Sequence, residues 1–148
     1  REELLFEVAR CGFDLLRQRF SCAFDLSIAP VDAADARLRM IRLAQAYLQF
    51  ADDEPGLWRL MFGAQAEAYR QATDARGEPD SYEYLPAALL GLYQKGVISI
   101  HPGERDALFA WSAVHGAATL RSGRVPGALI SIPELANEVA KRVIRALK

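Results

Sequence analysis

The segment Trp111-Ser112-Ala113-Val114-His115-Gly116 lies in the middle of the longest apolar run of the chain, which extends from Ala107 to Leu120. A helix over this run is apolar around almost its whole circumference, and such a helix has to be covered on two sides. Charged residues end the run short of the ~20 residues that a membrane span needs. The pattern therefore predicts a helix that packs on one side against its own domain. We infer that its other side contacts a partner chain.

At 100° per residue, this helix divides into two apolar sides. The side that we expect to face inward carries Trp111, Val114, His115 and Ala118. The side that we expect to face a partner carries Phe109, Ala113, Gly116, Ala117 and Leu120.

The composition is that of an ordinary globular domain. The chain has 148 residues, of which 51% are hydrophobic and 25% charged, and its net charge is −1. This is enough chain for one domain with a real core, and the balanced charge argues against nucleic-acid binding by this segment alone. Cys11 and Cys22 lie too far apart on one predicted helix for a disulfide, and no metal-ligand spacing or signal peptide is present. The sequence thus predicts a cytoplasmic protein without metal or cofactor.

Apolar periodicity and capping signals predict about six helices and no strand. The predicted helices cover residues 1–25, 33–53, 55–71, 80–95, 104–122 and 131–147. The first has an apolar arc wider than half its circumference, so we expect it to be central. The predicted fold class is an all-α antiparallel helical bundle, in a single domain over residues 1–148.

Large aromatic side chains recur on the inward stripes of these helices, where they either fill a solid core or line a cavity for a flat apolar molecule. The predicted effector-binding residues on these stripes are Tyr47, Trp58, Met61, Phe62, Gln65, Tyr93, Trp111 and His115. Gln65 and His115 would fix the orientation of a ligand, since a polar group on an apolar stripe needs a partner. Arg19, on the apolar arc of the first helix, either extends to water or awaits an anion from another helix or a ligand.

Catalytic signals are few. Ser112 and His115 lie within one helical turn, but no third group orients the imidazole and no nucleophile turn is present. We therefore predict no catalytic residue and no enzyme. Two alternatives stay open, namely a small helical enzyme that uses His115 as its base and an interaction module with a solid core.

Several segments, taken in order, resemble TetR-type (TetR/AcrR-family) transcriptional regulators. The stretch from Ala46 to Ala51, continued by Pro55 to Phe62, is similar to their second and third sensor helices. Trp111-x-x-x-His115-Gly116 resembles the Trp-His-Gly (WHG) signature of one C-terminal domain class in that family. The segment Arg1 to Leu5 resembles the point where the DNA-binding domain joins the first sensor helix.

This resemblance implies that residues 1–148 are an effector-binding and dimerisation domain, with the helix-turn-helix domain expected upstream and absent from this chain. It implies a homodimer whose last two helices form a four-helix bundle with those of the partner, while the first four enclose a pocket. The predicted interface residues are Phe109, Ala113, Gly116, Ala117, Leu120, Leu135, Val139 and Val143.

The implied function is that of a ligand sensor in a repressor. A small apolar or aromatic effector would change the spread of the two DNA-binding domains. The implied partners are a second copy of the chain, the effector and, through the helix-turn-helix domain alone, operator DNA. No membrane partner is implied.

Overall fold

The structure is a computed structural model that describes residues 1–63 and 81–148. These residues form six α-helices and no strand, which confirms the all-α fold class. The helices are α1 (Glu2–Ala23), α2 (Ala33–Asp53), α3 (Pro55–Phe62), α4 (Tyr84–Gln94), α5 (Glu104–Ser122) and α6 (Ile132–Ala146). Short 3₁₀ segments, Ser81–Glu83 and Pro126–Ala128, precede α4 and α6. Within the described residues, every helix is too short or too polar to cross a membrane.

Capping side chains begin two of the helices where the sequence places them. The Asp32 side chain accepts a hydrogen bond from the Asp35 backbone N–H at 2.8 Å, and Ser131 accepts one from the Glu134 N–H at 3.3 Å. These bonds satisfy donors that have no partner within the helix itself. Pro55 begins α3, where its missing N–H costs no helical hydrogen bond.

Helix α2 occupies the centre of the bundle. It packs against each of the other five helices, and its Tyr47, Leu48 and Phe50 are buried. The first helix was expected at the centre, and that prediction is wrong. The N-terminal part of the apolar arc of α1 reaches beyond the bundle, where Leu4 is 67% exposed.

Helix α1 approaches α3 closely at Gly12. A Cβ atom at this position would lie 2.6 Å from the Met61 sulfur, and Met61 is fully buried. Such a distance is far below van der Waals contact, so a larger residue would push Met61 aside or separate the two helices. Gly12 therefore brings Met61 and its neighbours on α3 against α1.

Helix α5 buries one side and leaves the other open. Ala110, Val114 and Ala118 face the core, whereas Phe109 and Leu120 are about half exposed. A Cβ atom added to Gly116 would meet no atom of another described element within 4 Å. The two-sided character that the sequence indicates is thus present, and its outer side is partly exposed in the part of the chain that the structure describes.

Two of the predicted interface residues on α6 turn toward their own chain. Val143 is 1% exposed and belongs to the core, so it is not available to a partner and the interface prediction is corrected at this position. Val139 is half-buried and lines an internal cavity. Both residues follow the inward stripe of α6, and a helical wheel does not distinguish contact with α2 from contact with a second chain.

Candidate ligand-binding site

A hydrogen-bonded cluster of three side chains joins α2 to α5. The Trp111 indole N–H donates to the Tyr47 hydroxyl at 2.9 Å. The same hydroxyl lies 2.8 Å from Nδ1 of His115. Trp111 and His115 are one turn apart on α5, so their side chains lie on one face of the helix and reach the same atom of Tyr47.

Helix α3 covers this cluster with two aromatic rings. The Trp58 ring stacks on the His115 imidazole with centroids 5.0 Å apart and an interplanar angle of 24°. Trp58 also meets Tyr47 edge to face at 4.9 Å, and Phe62 meets His115 edge to face at 5.1 Å. Such offset and edge contacts are the favourable geometries for aromatic pairs. The cluster is therefore held from three helices.

Burial determines the charge state of this cluster. Desolvation raises the pKa of the Tyr47 hydroxyl, so the phenol keeps its proton at all ordinary pH values. Desolvation also lowers the pKa of His115, so the imidazole is neutral near pH 7. All three hydrogen-bonding groups are thus uncharged.

A cavity of about 580 Å³ begins at this cluster and extends between α1, α2, α4 and α5. Its wall is mostly apolar, with Tyr47, Trp111, Ser81, Tyr82 and Glu104 as the polar exceptions among the described residues. The remaining lining residues are Leu16, Phe20, Met40, Leu43, Ala44, Phe62, Leu85, Pro86, Ala107, Leu108, Val114 and Val139. A space of this size and polarity is typical of small-molecule sites.

A second pocket of about 300 Å³ lies on the other side of Trp111. It shares Phe62, Tyr82, Leu108 and Trp111 with the larger cavity. Its remaining described lining residues are Met61, Ser112 and His115. The two spaces therefore meet at the aromatic side chains of α3 and α5.

Comparison with known proteins identifies the family. The family model of the tetracyclin repressor-like C-terminal domain matches residues 40–147, which is well over half of the chain. The chain belongs to this family. It is also similar to a solved structure of a protein with unknown function from Rhodococcus sp. RHA1, at 28% identity and a TM-score of 0.73. That similarity covers 99% of this chain and 74% of the Rhodococcus chain. A comparison with curated proteins gave no match.

Most of the predicted effector-binding residues of this tetracyclin repressor-like domain lie together. Tyr47, Phe62 and Trp111 line the larger cavity, and Met61 and His115 line the second pocket. The Trp58 ring stacks against the His115 imidazole. Gln65 lies outside the described residues.

Two predicted residues lie away from both spaces. Tyr93 is on the surface, where its ring contacts His101 at 4.9 Å. Arg19 donates to the Asp53 carboxylate at 2.8 Å and lies over the Phe50 ring, on an open groove between α1 and α2. Arg19 and Gln49 hold the pKa of Asp53 below its usual range by hydrogen bonding to the carboxylate. The acceptor for Arg19 therefore comes from another helix, and the hypothesis of an anionic ligand at Arg19 is corrected.

Most residues of the cavity wall are not among the predicted effector-binding residues. This part of the wall includes Leu16 and Phe20 of α1 and Met40 and Leu43 of α2. Their apolar spacing is the signal that they face inward, but it is the same for a packed core and for a cavity wall. Tyr82 comes from the 3₁₀ segment before α4, within the stretch that was predicted as the start of the fourth helix.

Proposed function

We propose that this chain is the effector-sensing and dimerisation domain of a TetR-type transcriptional repressor. The main support is the cavity of about 580 Å³ in a chain that belongs to the tetracyclin repressor-like family. Its apolar wall suits a small apolar or aromatic effector, with the polar groups near Tyr47 to orient it. A solid-core interaction module is disfavoured, because side chains at native packing density would fill that space.

The proposed homodimer uses the open side of α5. Phe109 and Leu120 are 49% and 51% exposed, and a Cβ atom added to Gly116 would meet no atom of another described element within 4 Å. A helix of a second copy can approach closely at glycine and cover both apolar residues, which would otherwise stay in water. Ala113, Ala117 and Leu135 are half-buried and would border this contact.

Helix α5 would couple effector binding to the arrangement of the dimer, because the same helix bounds the ligand site and the proposed interface. Trp111 and His115 face the two pockets, and Phe109 and Gly116 face outward. An effector that prefers one position of α5 would favour one arrangement of the dimer. Two helix-turn-helix domains bind operator half-sites ~34 Å apart, so a small change of spread would alter DNA binding in the cytoplasm.

An enzymatic role for the same site has less support. The Ser112 hydroxyl donates to the Leu108 carbonyl at 2.7 Å, so it is directed along its own helix. The His115 Nδ1 faces the Tyr47 hydroxyl rather than a carboxylate. Nucleophilic catalysis needs a nucleophile within hydrogen-bonding distance of its base, and these contacts do not supply that pair.

A binding titration tests the proposal. The neutral fluorescent probe N-phenyl-1-naphthylamine is titrated into the wild-type chain and into Ala44→Leu, which adds three carbons to the cavity wall. Ala46→Leu is the matched control, because Ala46 lies on the surface groove and not on the cavity. We expect saturable binding that weakens about tenfold or more in Ala44→Leu, equivalent to ~1.4 kcal/mol, and stays unchanged in Ala46→Leu. Absence of saturable binding, or equal affinity in all three proteins, would contradict the proposal.

A further inference from the structure

We propose that the effector is an uncharged molecule whose carbonyl, or other neutral oxygen acceptor, takes a hydrogen bond from Nε2–H of His115. The inference rests on the proposed function and names the ligand class for the same site. It follows from the direction of the hydrogen bonds around Tyr47.

The donor and acceptor roles in the cluster have one arrangement that satisfies every group. An indole N–H can only donate, so the Tyr47 oxygen is the acceptor for Trp111. The hydroxyl has a single proton, and Tyr47 is 4% exposed, so that proton needs an acceptor inside the protein. Nδ1 of His115, at 2.8 Å, is the acceptor within reach among the described residues. Tyr47 therefore donates to Nδ1, and Nδ1 carries no proton.

This arrangement fixes the tautomer of His115. A neutral imidazole has one N–H, and with Nδ1 unprotonated the proton is on Nε2. Within residues 1–63 and 81–148, Nε2 has no hydrogen-bond acceptor, and it is not among the fully enclosed polar atoms. His115 is half-buried on the wall of the second pocket. Among the described residues, Nε2–H is thus a donor left for a ligand, on a ring that stacks against Trp58.

The same cluster disfavours charged ligands. A carboxylate would favour protonation of the imidazole, which would place a second proton between Nδ1 and the Tyr47 hydroxyl. Tyr47 would then have to turn its own proton into a region without an acceptor among the described residues, at the cost of an unsatisfied buried donor. A cation would meet the positive end of the Nε2–H dipole. A ketone, ester, lactone or amide oxygen meets neither penalty.

The shape of the site indicates where the rest of the ligand lies. Phe62, Tyr82, Leu108 and Trp111 form a common wall between the second pocket and the larger cavity. A ligand whose carbonyl group meets His115 therefore lies in the second pocket, with its apolar part against Met61, Phe62 and Leu108. The one charged lining residue of the cavity among the described residues, Glu104, is exposed and would repel an anion.

The first test measures the tautomer without any ligand. The ¹⁵N chemical shifts of the imidazole nitrogens are recorded on the chain labelled at histidine, with His101→Phe to assign the two rings. We expect a protonated Nε2 and an unprotonated Nδ1 for His115 at neutral pH. A protonated Nδ1 would overturn the inference while leaving the proposed function intact.

The second test compares three naphthalenes of similar size. We expect 2-acetylnaphthalene to bind about tenfold tighter than 2-ethylnaphthalene, equivalent to ~1.4 kcal/mol, and 2-naphthoate to bind weaker than the ketone. The preference for the ketone should disappear in His115→Phe and persist in the control His101→Phe. Equal binding of the ketone and the hydrocarbon, or tighter binding of 2-naphthoate, would overturn the inference alone. Binding of none of the three would contradict the proposed function as well.

Discussion

The hydroxyl group of Tyr47 has two partners in a part-buried environment, and its removal should be costly. In Tyr47→Phe, the Trp111 N–H loses its acceptor and Nδ1 of His115 loses its donor. We expect the free energy of unfolding to fall by about 1–3 kcal/mol, because buried polar groups are left unsatisfied. Urea unfolding measures this change.

Tyr93→Phe is the control for that substitution. Tyr93 is 37% exposed, so water replaces its hydroxyl contacts and the expected change is within about 0.5 kcal/mol. An equal loss of stability in the two variants would show that the hydroxyl of Tyr47 has no special role.

His115 should make stability depend on pH in one direction. Its pKa is lowered by burial, so the unfolded chain binds this proton more readily than the folded chain does. The contribution of the neutral His115 to the free energy of unfolding is fully present above the ordinary histidine pKa of about 6.5. It is lost as pH falls below that value, by at most ~1.4 kcal/mol per pH unit. We expect His115→Phe to flatten the dependence between about pH 7.5 and 5, and His101→Phe to retain it. Equal slopes in the two variants would contradict this assignment.

The sequence predicted which side chains face the site better than it predicted their contacts. Tyr47, Trp111 and His115 were placed inward by apolar periodicity alone. The hydrogen bonds between them depend on the distance between α2 and α5, which a helical wheel does not contain. The partner of Arg19 could not be predicted for the same reason, because Asp53 is 34 residues away on another helix.

Helix boundaries followed local chemistry and were largely predictable. Helices α2, α3 and α6 begin within one residue of the predicted starts at residues 33, 55 and 131. The fourth helix was expected from Asp80, whereas α4 begins at Tyr84 after a 3₁₀ segment. Pro86 is in the first turn of α4, where a missing N–H is tolerated.

The outer side of α5 leads to a prediction about assembly. We expect Gly116→Leu to weaken the homodimer about tenfold or more, equivalent to ~1.4 kcal/mol, because the new side chain would occupy the space of the approaching helix. Leucine has a higher helix propensity than glycine, so α5 itself should not be destabilised. Sedimentation velocity over a range of concentrations measures the change.

Gly56→Leu is the matched control for assembly. A Cβ atom at Gly56 also meets nothing within 4 Å, but this residue lies at the start of α3 and not on α5. The control should sediment like the wild type. A dimer that is unchanged in Gly116→Leu would remove α5 from the interface.

The arrangement of the whole bundle was less predictable than its parts. The wide apolar arc of α1 indicated a central helix, yet the centre is α2, whose neighbours include all five other helices. The width of the apolar arc predicts how much of a helix is buried, but it does not predict how many helices surround it. For the same reason, the sequence left both a solid core and a cavity open, since both require the same inward stripes.

The central claim is that an apolar cavity lies between α1, α2, α4 and α5. Xenon enters empty apolar cavities, so diffraction from crystals pressurised with xenon tests this claim most directly. The account predicts xenon density in the space bounded by Met40, Leu43 and Val114 in the wild type, and its loss in Ala44→Leu. A wild-type crystal structure in which these side chains interlock and no xenon is bound would contradict the account.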